Sequence, residues 1–84
     1  MIEKNKIITL GNSEDYLVLE SVTYNNQNYY YIALVNETKT DIKDNYKIVI
    51  EKLENNNTYI EEITGEEKLK EILPLFLLQF RLGI

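Results

Sequence analysis

At 84 residues the chain is long enough for one domain, residues 1–84, because a second hydrophobic core cannot be built from what remains. Its composition, 44% hydrophobic and 27% charged, is that of a globular protein and excludes a disordered one. Fourteen acidic against nine basic residues give a net charge of −5, which repels phosphate, so neither nucleic acid nor an anionic membrane is expected as a partner.

The chain contains neither cysteine nor histidine. This excludes disulfides, thiol nucleophiles and cysteine or imidazole zinc sites, together with the one side chain that titrates near neutrality without special help. The first residues, MIEKNKIITLG, lack the apolar core of a signal peptide, and no stretch approaches the roughly 20 apolar residues of a membrane span. The sequence therefore predicts a cytoplasmic protein that is not an enzyme and has no cofactor.

Five β-rich runs follow one another, at residues 6–10, 16–24, 29–35, 46–53 and 58–63. Asn25 and Asn26 lie between two alternating runs, and asparagine tolerates positive φ well, so they predict a tight hairpin turn. The amide-rich stretch 54–57 predicts a second turn, and residues 36–45 are polar and predict a loop. Short turns between consecutive runs favour antiparallel pairing.

The third run, YYYIALV, is apolar at both parities and is typical of an interior strand that needs cover on both faces. Tyr29 and Tyr31 face one way and Tyr30 the other. Tyrosine suits this position because its ring packs while its hydroxyl reaches the rim. The alternative, a stacking platform for single-stranded nucleic acid, is disfavoured because the neighbours are Asn, Gln and Glu rather than basic residues. In the second run the alternate positions are occupied by Tyr16, Val18, Val22 and Tyr24, which are therefore predicted to face the same side of the strand.

A helix is predicted after residue 64, where Thr64 and Glu67 have the spacing of a capping box. One stripe of this helix is apolar, and it consists of Leu69, Ile72, Leu73, Phe76 and Phe80. Pro74 lies inside the pattern and predicts a kink or a break, because proline has no N–H to donate to the carbonyl of Lys70. The expected fold is α+β: a mainly antiparallel meander of about five strands with the C-terminal helix packed on one face.

The pattern of residues 16–24, a short turn and residues 29–32 resembles the hairpin of a known family. A second similarity is the run 46–53, a turn, the run 58–63 and the acidic helix start at Glu66 and Glu67. The family is domain of unknown function 1292, the YrzB-like small acidic proteins of low-GC Gram-positive bacteria. The resemblance implies a bacterial, cytoplasmic setting, and it supplies no activity because none is established for the family. The chain departs from the family in two places: it has no glycine in the first turn, and its C-terminus is apolar.

Carboxylates are the only plentiful catalytic groups, and they concentrate around the start of the helix, where they complement its dipole. A paired-carboxylate hydrolase needs two such groups held in a cleft, for which a chain of this size has little room. Asp41, Asp44 and Asn45 lack the spacing, central glycine and final glutamate of a calcium loop. A solvated face is the favoured interpretation, with no metal site.

The last segment, residues 74–84, reads PLFLLQFRLGI and is apolar on more than one side. If the helix continues, Leu75, Leu78 and Leu82 lie opposite the predicted core stripe. These three leucines are the predicted protein-interaction residues, for a partner protein or for self-association as a homodimer. The alternative is that Pro74 breaks the helix and the tail folds back over the same domain.

The predicted function is therefore a small non-enzymatic protein-binding or regulatory protein whose interaction surface is the C-terminal helix. A second possibility is an acidic inhibitor, encoded by a mobile element, that mimics DNA and blocks a nucleic-acid-binding enzyme. DNA carries one charge per about 1.7 Å of axis, and a net charge of −5 over the whole chain is a low charge density by comparison.

Overall fold

The computed structural model describes the backbone of residues 2–82 and the side chains of residues 2–79. The predicted α+β fold is confirmed: five antiparallel strands pair in chain order as a meander that curls into a half-barrel, and one helix packs against it. The elements are β1 (Ile7–Thr9), β2 (Asp15–Tyr24), β3 (Gln27–Val35), β4 (Ile42–Glu54), β5 (Asn57–Glu62) and α1 (Glu66–Leu82). Within residues 2–82 no helix is long and apolar enough to cross a membrane.

Two hairpins are closed by pairs of asparagines, as the sequence predicts. Asn25 and Asn26 have φ of 52° and 61°, and the strands that they join pair from Tyr24 and Gln27 onwards. Asn55 and Asn56 have φ of 51° and 65° and join β4 to β5 in the same way. Positive φ at both central residues matches the twist of the flanking strands, and asparagine can adopt it without glycine.

The loop predicted at residues 36–45 is shorter than expected, because β4 already begins at Ile42, which pairs with Val35. The side chain of Asn36 stabilises the turn that precedes β4, since its Oδ1 accepts hydrogen bonds from the amides of Thr40 (2.9 Å) and Asp41 (3.3 Å). The first residues of β4 are exposed, so no alternation of apolar side chains marked them as a strand. Pairing with β3 nevertheless holds these residues in the extended conformation of a strand.

The single face predicted for Tyr16, Val18, Val22 and Tyr24 is wrong, because a β-bulge interrupts β2. Val18 pairs with Ile32, whereas Glu20 pairs with Tyr31, so one extra residue stands on the β2 side. An extra residue reverses the alternation that follows it. The start of β2 therefore packs on one face of the sheet and its end on the other.

The core has two halves, one on each face of β3, which confirms the prediction of an interior strand. The first core cluster consists of Tyr16, Val18, Tyr30, Ile32, Leu34 and Val49. The second core cluster consists of Tyr29, Ile48, Ile50, Ile72 and Phe76, so it includes the buried side of the helix. Tyr29 and Tyr30 are fully buried, and Tyr31 stacks on Tyr46 with 5.6 Å between ring centroids. The tyrosines are packing residues of the core and its rim.

The helix begins one residue later than a cap at Thr64 requires. The amide of Leu69 donates to the carbonyl of Gly65 (3.0 Å), which makes Gly65 the N-cap, and the predicted capping box is wrong. The helix then continues as one element through Pro74, so the alternative in which proline breaks it is also wrong. Packing of the apolar side chains on both sides of Pro74 offsets the hydrogen bond that proline removes.

The face that the helix buries differs from the predicted stripe. Ile72 and Phe76 are fully buried and Leu69 packs beside them, as expected, but Leu73 is 43% exposed. Leu73 lies about 100° around the helix from Ile72, and the sheet covers the other flank, on which Leu75 packs. The predicted contribution of Phe80 concerns a side chain outside the described residues.

The hydroxyl of Tyr30 ties the N-terminal segment to β4. It accepts a hydrogen bond from the amide of Ile2 (2.9 Å) and donates one to Oε1 of Glu51 (2.6 Å). The same carboxylate oxygen accepts from Nδ2 of Asn28 (3.1 Å), the residue paired with Glu51 across the sheet. Burial, followed by the hydrogen bond to Glu51, raises the pKa of Tyr30 to about 12.

Tyr30→Phe is expected to lower the free energy of unfolding by about 1–3 kcal/mol near neutral pH, because Glu51 and the Ile2 amide both lose a partner. The raised pKa means that the folded state favours the neutral phenol. The contribution of this phenol is complete below pH 10, where the unfolded residue titrates, and is lost as the pH rises towards 12. Urea unfolding of both proteins between pH 8 and pH 12 should show the difference shrinking above pH 10.

Tyr59→Phe is the matched control, since Tyr59 is 41% exposed on β5. Its effect should stay within about 0.5 kcal/mol at neutral pH. If the free energies of unfolding of wild type and Tyr30→Phe differ by the same amount up to pH 12, the Tyr30 hydroxyl does not stabilise the fold through these hydrogen bonds.

Candidate protein-interaction surface

The C-terminal half of α1 exposes a contiguous apolar area. Leu73, Leu77 and Leu78 are 43%, 54% and 56% exposed, and Pro74 is exposed between them. Residues four apart are neighbours on a helix, so Leu73 with Leu77 and Pro74 with Leu78 form two adjacent rows. We call these four residues the outer leucine face. Isolated exposed leucines are common on protein surfaces, whereas a contiguous group is a candidate contact site.

The three predicted interaction residues have different positions. Leu78 is exposed and belongs to the outer leucine face, whereas Leu75 is half-buried and packs against the second core cluster. The side chain of Leu82 lies outside the described residues. Leu77 was missed because it falls between the predicted core stripe and the predicted opposite side. Its angular position, about 80° from Leu69, was the available signal.

Leu75 and Leu78 come together in a groove between the helix and the end of β2. This helix–β2 groove has a volume of about 450 Å³ and is lined by Ser21, Val22, Thr23, Tyr24, Leu75, Leu78 and Gln79. The bulge in β2 contributes to it, because it places Val22 and Tyr24 on the face that the helix covers. These seven lining residues, among the side chains of residues 2–79, are all uncharged, on a chain whose net charge is −5.

The outer edge of β2 is paired only at its beginning. β1 pairs with Asp15, Tyr16 and Leu17, and two further backbone hydrogen bonds reach Val18, from the amide of Asn5 (2.8 Å) and to the carbonyl of Lys6 (2.9 Å). Beyond Val18, no strand within residues 2–82 pairs with this side of β2. The open edge borders the helix–β2 groove.

None of the carboxylates belongs to the outer leucine face or lines the helix–β2 groove, and five of the fourteen form ion pairs with lysines. Lys47 with Glu62 (3.0 Å) and Lys52 with Glu61 (2.9 Å) join β4 to β5. Three more lysine pairs involve Asp15, Glu20 and Glu71. A DNA mimic has to present unpaired negative charge at phosphate-like spacing. The DNA-mimic function stays a prediction.

Three surface groups have pKa values that are shifted away from neutral pH. A hydrogen bond to Glu62 raises the pKa of Lys47, one to Tyr29 raises the pKa of Lys68, and one from Thr9 lowers the pKa of Asp15. General acid–base catalysis requires pKa values near the working pH. Across the side chains that the structure describes, no group of three or more Asp or Glu residues is placed to hold a metal ion.

No model of a known protein family matches the chain, and neither a curated protein nor a solved structure matches it. The geometry of the outer leucine face and of the helix–β2 groove is therefore the basis for a functional interpretation.

Proposed function

We propose that this chain is a small non-enzymatic protein-binding domain and that the C-terminal half of α1 is its interaction surface. The observation that carries the proposal is the outer leucine face: a helix that already buries Ile72 and Phe76 completely on its inner side also presents three leucines and a proline to solvent. An amphipathic helix of a monomeric domain has polar residues on that side.

The exposed apolar area is large enough to matter for binding. Full burial of an exposed leucine contributes about 1.5–3 kcal/mol, and Leu73, Leu77 and Leu78 each still expose roughly half of their surface. Together they offer about 2–4 kcal/mol before the costs of association. A patch of this kind is the apolar centre of an interface and needs a polar rim, which Lys70 and Gln79 can supply.

The directions of three pKa shifts support the non-enzymatic part of the proposal, because the pKa of Asp15 is lowered and those of Tyr30 and Lys47 are raised, in each case away from neutrality. Membership of the family that the sequence resembles, and with it a cytoplasmic setting, stays a prediction. That family contributes no activity to the proposal. The partner is a protein, either a second copy of this chain or a different one, and the oligomeric state distinguishes the two.

Leu78→Glu is expected to abolish association while leaving the domain folded, because the side chain is 56% exposed and a carboxylate cannot be buried in an apolar contact without a partner. Sedimentation velocity should show a wild-type dimer and a mutant monomer if the partner is a second copy. If the wild type is a monomer, a photo-crosslinker at Leu77 should capture a discrete partner in the source cells, and Leu78→Glu should remove that adduct.

Leu53→Glu is the matched control, because Leu53 is 73% exposed near the turn between β4 and β5 and does not belong to the helix. It should change neither the sedimentation coefficient nor the yield of partner crosslinked to position 77. If Leu78→Glu stays folded and alters neither result, the outer leucine face is not an interaction surface and the proposal is wrong.

A further inference from the structure

The open edge of β2 directs backbone groups towards the helix–β2 groove. Tyr24 and Gln27 flank a two-residue hairpin turn and exchange hydrogen bonds, and bonded pairs alternate along an antiparallel ladder. Val22 is therefore bonded to Tyr29. It follows that Ser21 and Thr23 point their N–H and C=O groups away from β3, to the side where no described strand lies.

One end of this edge is closed by a charged residue. The amide of Ser21 donates to Oε1 of Glu20 (3.2 Å), and Oε2 of the same carboxylate lies 3.2 Å from Nζ of Lys4. Beyond it, the carbonyl of Ser21 and both backbone groups of Thr23 face outwards beside the uncharged lining of the groove. A strand that extends from Ser21 to Tyr24 covers about 14 Å, which is room for about four residues of a partner.

We infer that the partner contributes an extended segment that adds to β2 as a new strand and places alternate apolar side chains against Leu75 and Leu78. This inference rests on the proposed protein-binding function and specifies the form of the partner. An extended chain satisfies the outward groups of Ser21 and Thr23 in succession, which a helix or a side chain cannot do. The occupant is uncharged where it faces the groove, because none of the described lining residues can pair a charge there.

The opposite edge of the sheet shows why β2 is the site. Glu61 and Glu62 of β5 carry ion pairs to Lys52 and Lys47, and charged side chains on an edge strand discourage strand addition. Thr58 occupies the position on β5 that Thr23 occupies on β2, one residue from the hairpin-closing pair and with its N–H turned outwards. The two threonines form a matched pair for experiment.

The test uses the intact chain and a displayed library of random peptides of about twelve residues. The selected peptides should alternate apolar and uncharged polar residues, and a bound peptide should slow hydrogen exchange of the Thr23 amide. Thr23→Pro removes that N–H without breaking a backbone bond to β3, and should weaken binding about tenfold or more. It also removes the hydrogen bond from Oγ1 of Thr23 to Oδ1 of Asn28 (2.8 Å), so Thr23→Val, which loses only that bond, is the control and should leave binding unchanged. Thr58→Pro should leave binding unchanged.

The outcomes separate the two proposals. If peptides bind in a manner that depends on Leu78 but Thr23→Pro has no effect and the Thr23 amide is not protected, strand addition is wrong and the protein-binding function stands. If no selected peptide depends on Leu78 or Thr23, both are wrong. Amide protection is measured on the wild-type chain, so a folding defect of Thr23→Pro cannot hide the answer.

Discussion

Phe76→Ala is expected to lower the free energy of unfolding by about 3–5 kcal/mol. The side chain of Phe76 is fully buried, its ring centroid lies 6.0 Å from that of Tyr31, and it belongs to the core cluster that joins the helix to β3 and β4. Removal of the ring leaves a cavity that the rigid sheet cannot fill. Domains of this size have about 5–15 kcal/mol of total stability, so urea unfolding followed by circular dichroism should show a large loss.

Leu77→Ala is the control, one residue further along the same helix. Leu77 is 54% exposed, so its truncation should cost less than about 1 kcal/mol. The contrast also bears on function, since it separates the core side of α1 from the outer leucine face. Similar losses for the two variants would mean that the helix does not pack on the sheet through Phe76.

Ile32→Ala is expected to cost about 2–5 kcal/mol through the other half of the core. Ile32 is fully buried in β3 and packs in the first core cluster, on the face of the sheet opposite the helix. Ile42→Ala is its control, because Ile42 is 41% exposed at the start of β4 and should lose less than about 1 kcal/mol. Urea unfolding measures both.

The double variant of Phe76 and Ile32 tests whether the two halves of the core are independent. The two side chains belong to different clusters on opposite faces of β3, so their costs should add to within about 0.5 kcal/mol. If either single variant is too unstable, Phe76→Leu and Ile32→Val serve the same cycle. A coupling energy well above 1 kcal/mol would show that strain passes through the sheet and that the clusters act as one core.

Most of the fold was predictable because its signals are local. Asn25 and Asn26 favour the left-handed conformation by their own chemistry, so they identify a hairpin wherever the flanking runs alternate. The two-sided apolar pattern of β3 is likewise a property of seven consecutive residues, and it predicts burial of Tyr29 and Tyr30 without reference to their neighbours.

The errors about the faces and bounds of strands occurred where residues distant in sequence decide the outcome. The bulge between Val18 and Glu20 depends on the register with β3, and Ile42 extends into β4 only because Val35 pairs with it. Neither leaves a trace in the local sequence, since an extra residue or an exposed strand start has no composition of its own.

For the candidate surface, too, some features follow from the local sequence and others from packing. Leu78 and the apolar character of the helix's second half could be predicted from sequence, because a helix apolar on several sides has more apolar surface than one sheet face can cover. Which leucines remain outside could not, because the rotation of α1 is set by how Ile72 and Phe76 fit the second core cluster. That rotation exposes Leu73 and Leu77 and brings Leu75 to the end of β2.

The sequence by itself determined the α+β class, the order of the five strands and the surplus of apolar surface at the C-terminus, since each follows from residue type at local spacing. Only the tertiary structure decided that the surplus divides between the outer leucine face and a groove beside an open strand edge. The physical reason is that exposure depends on how elements distant in sequence pack together, and this packing reflects the shape of the whole core.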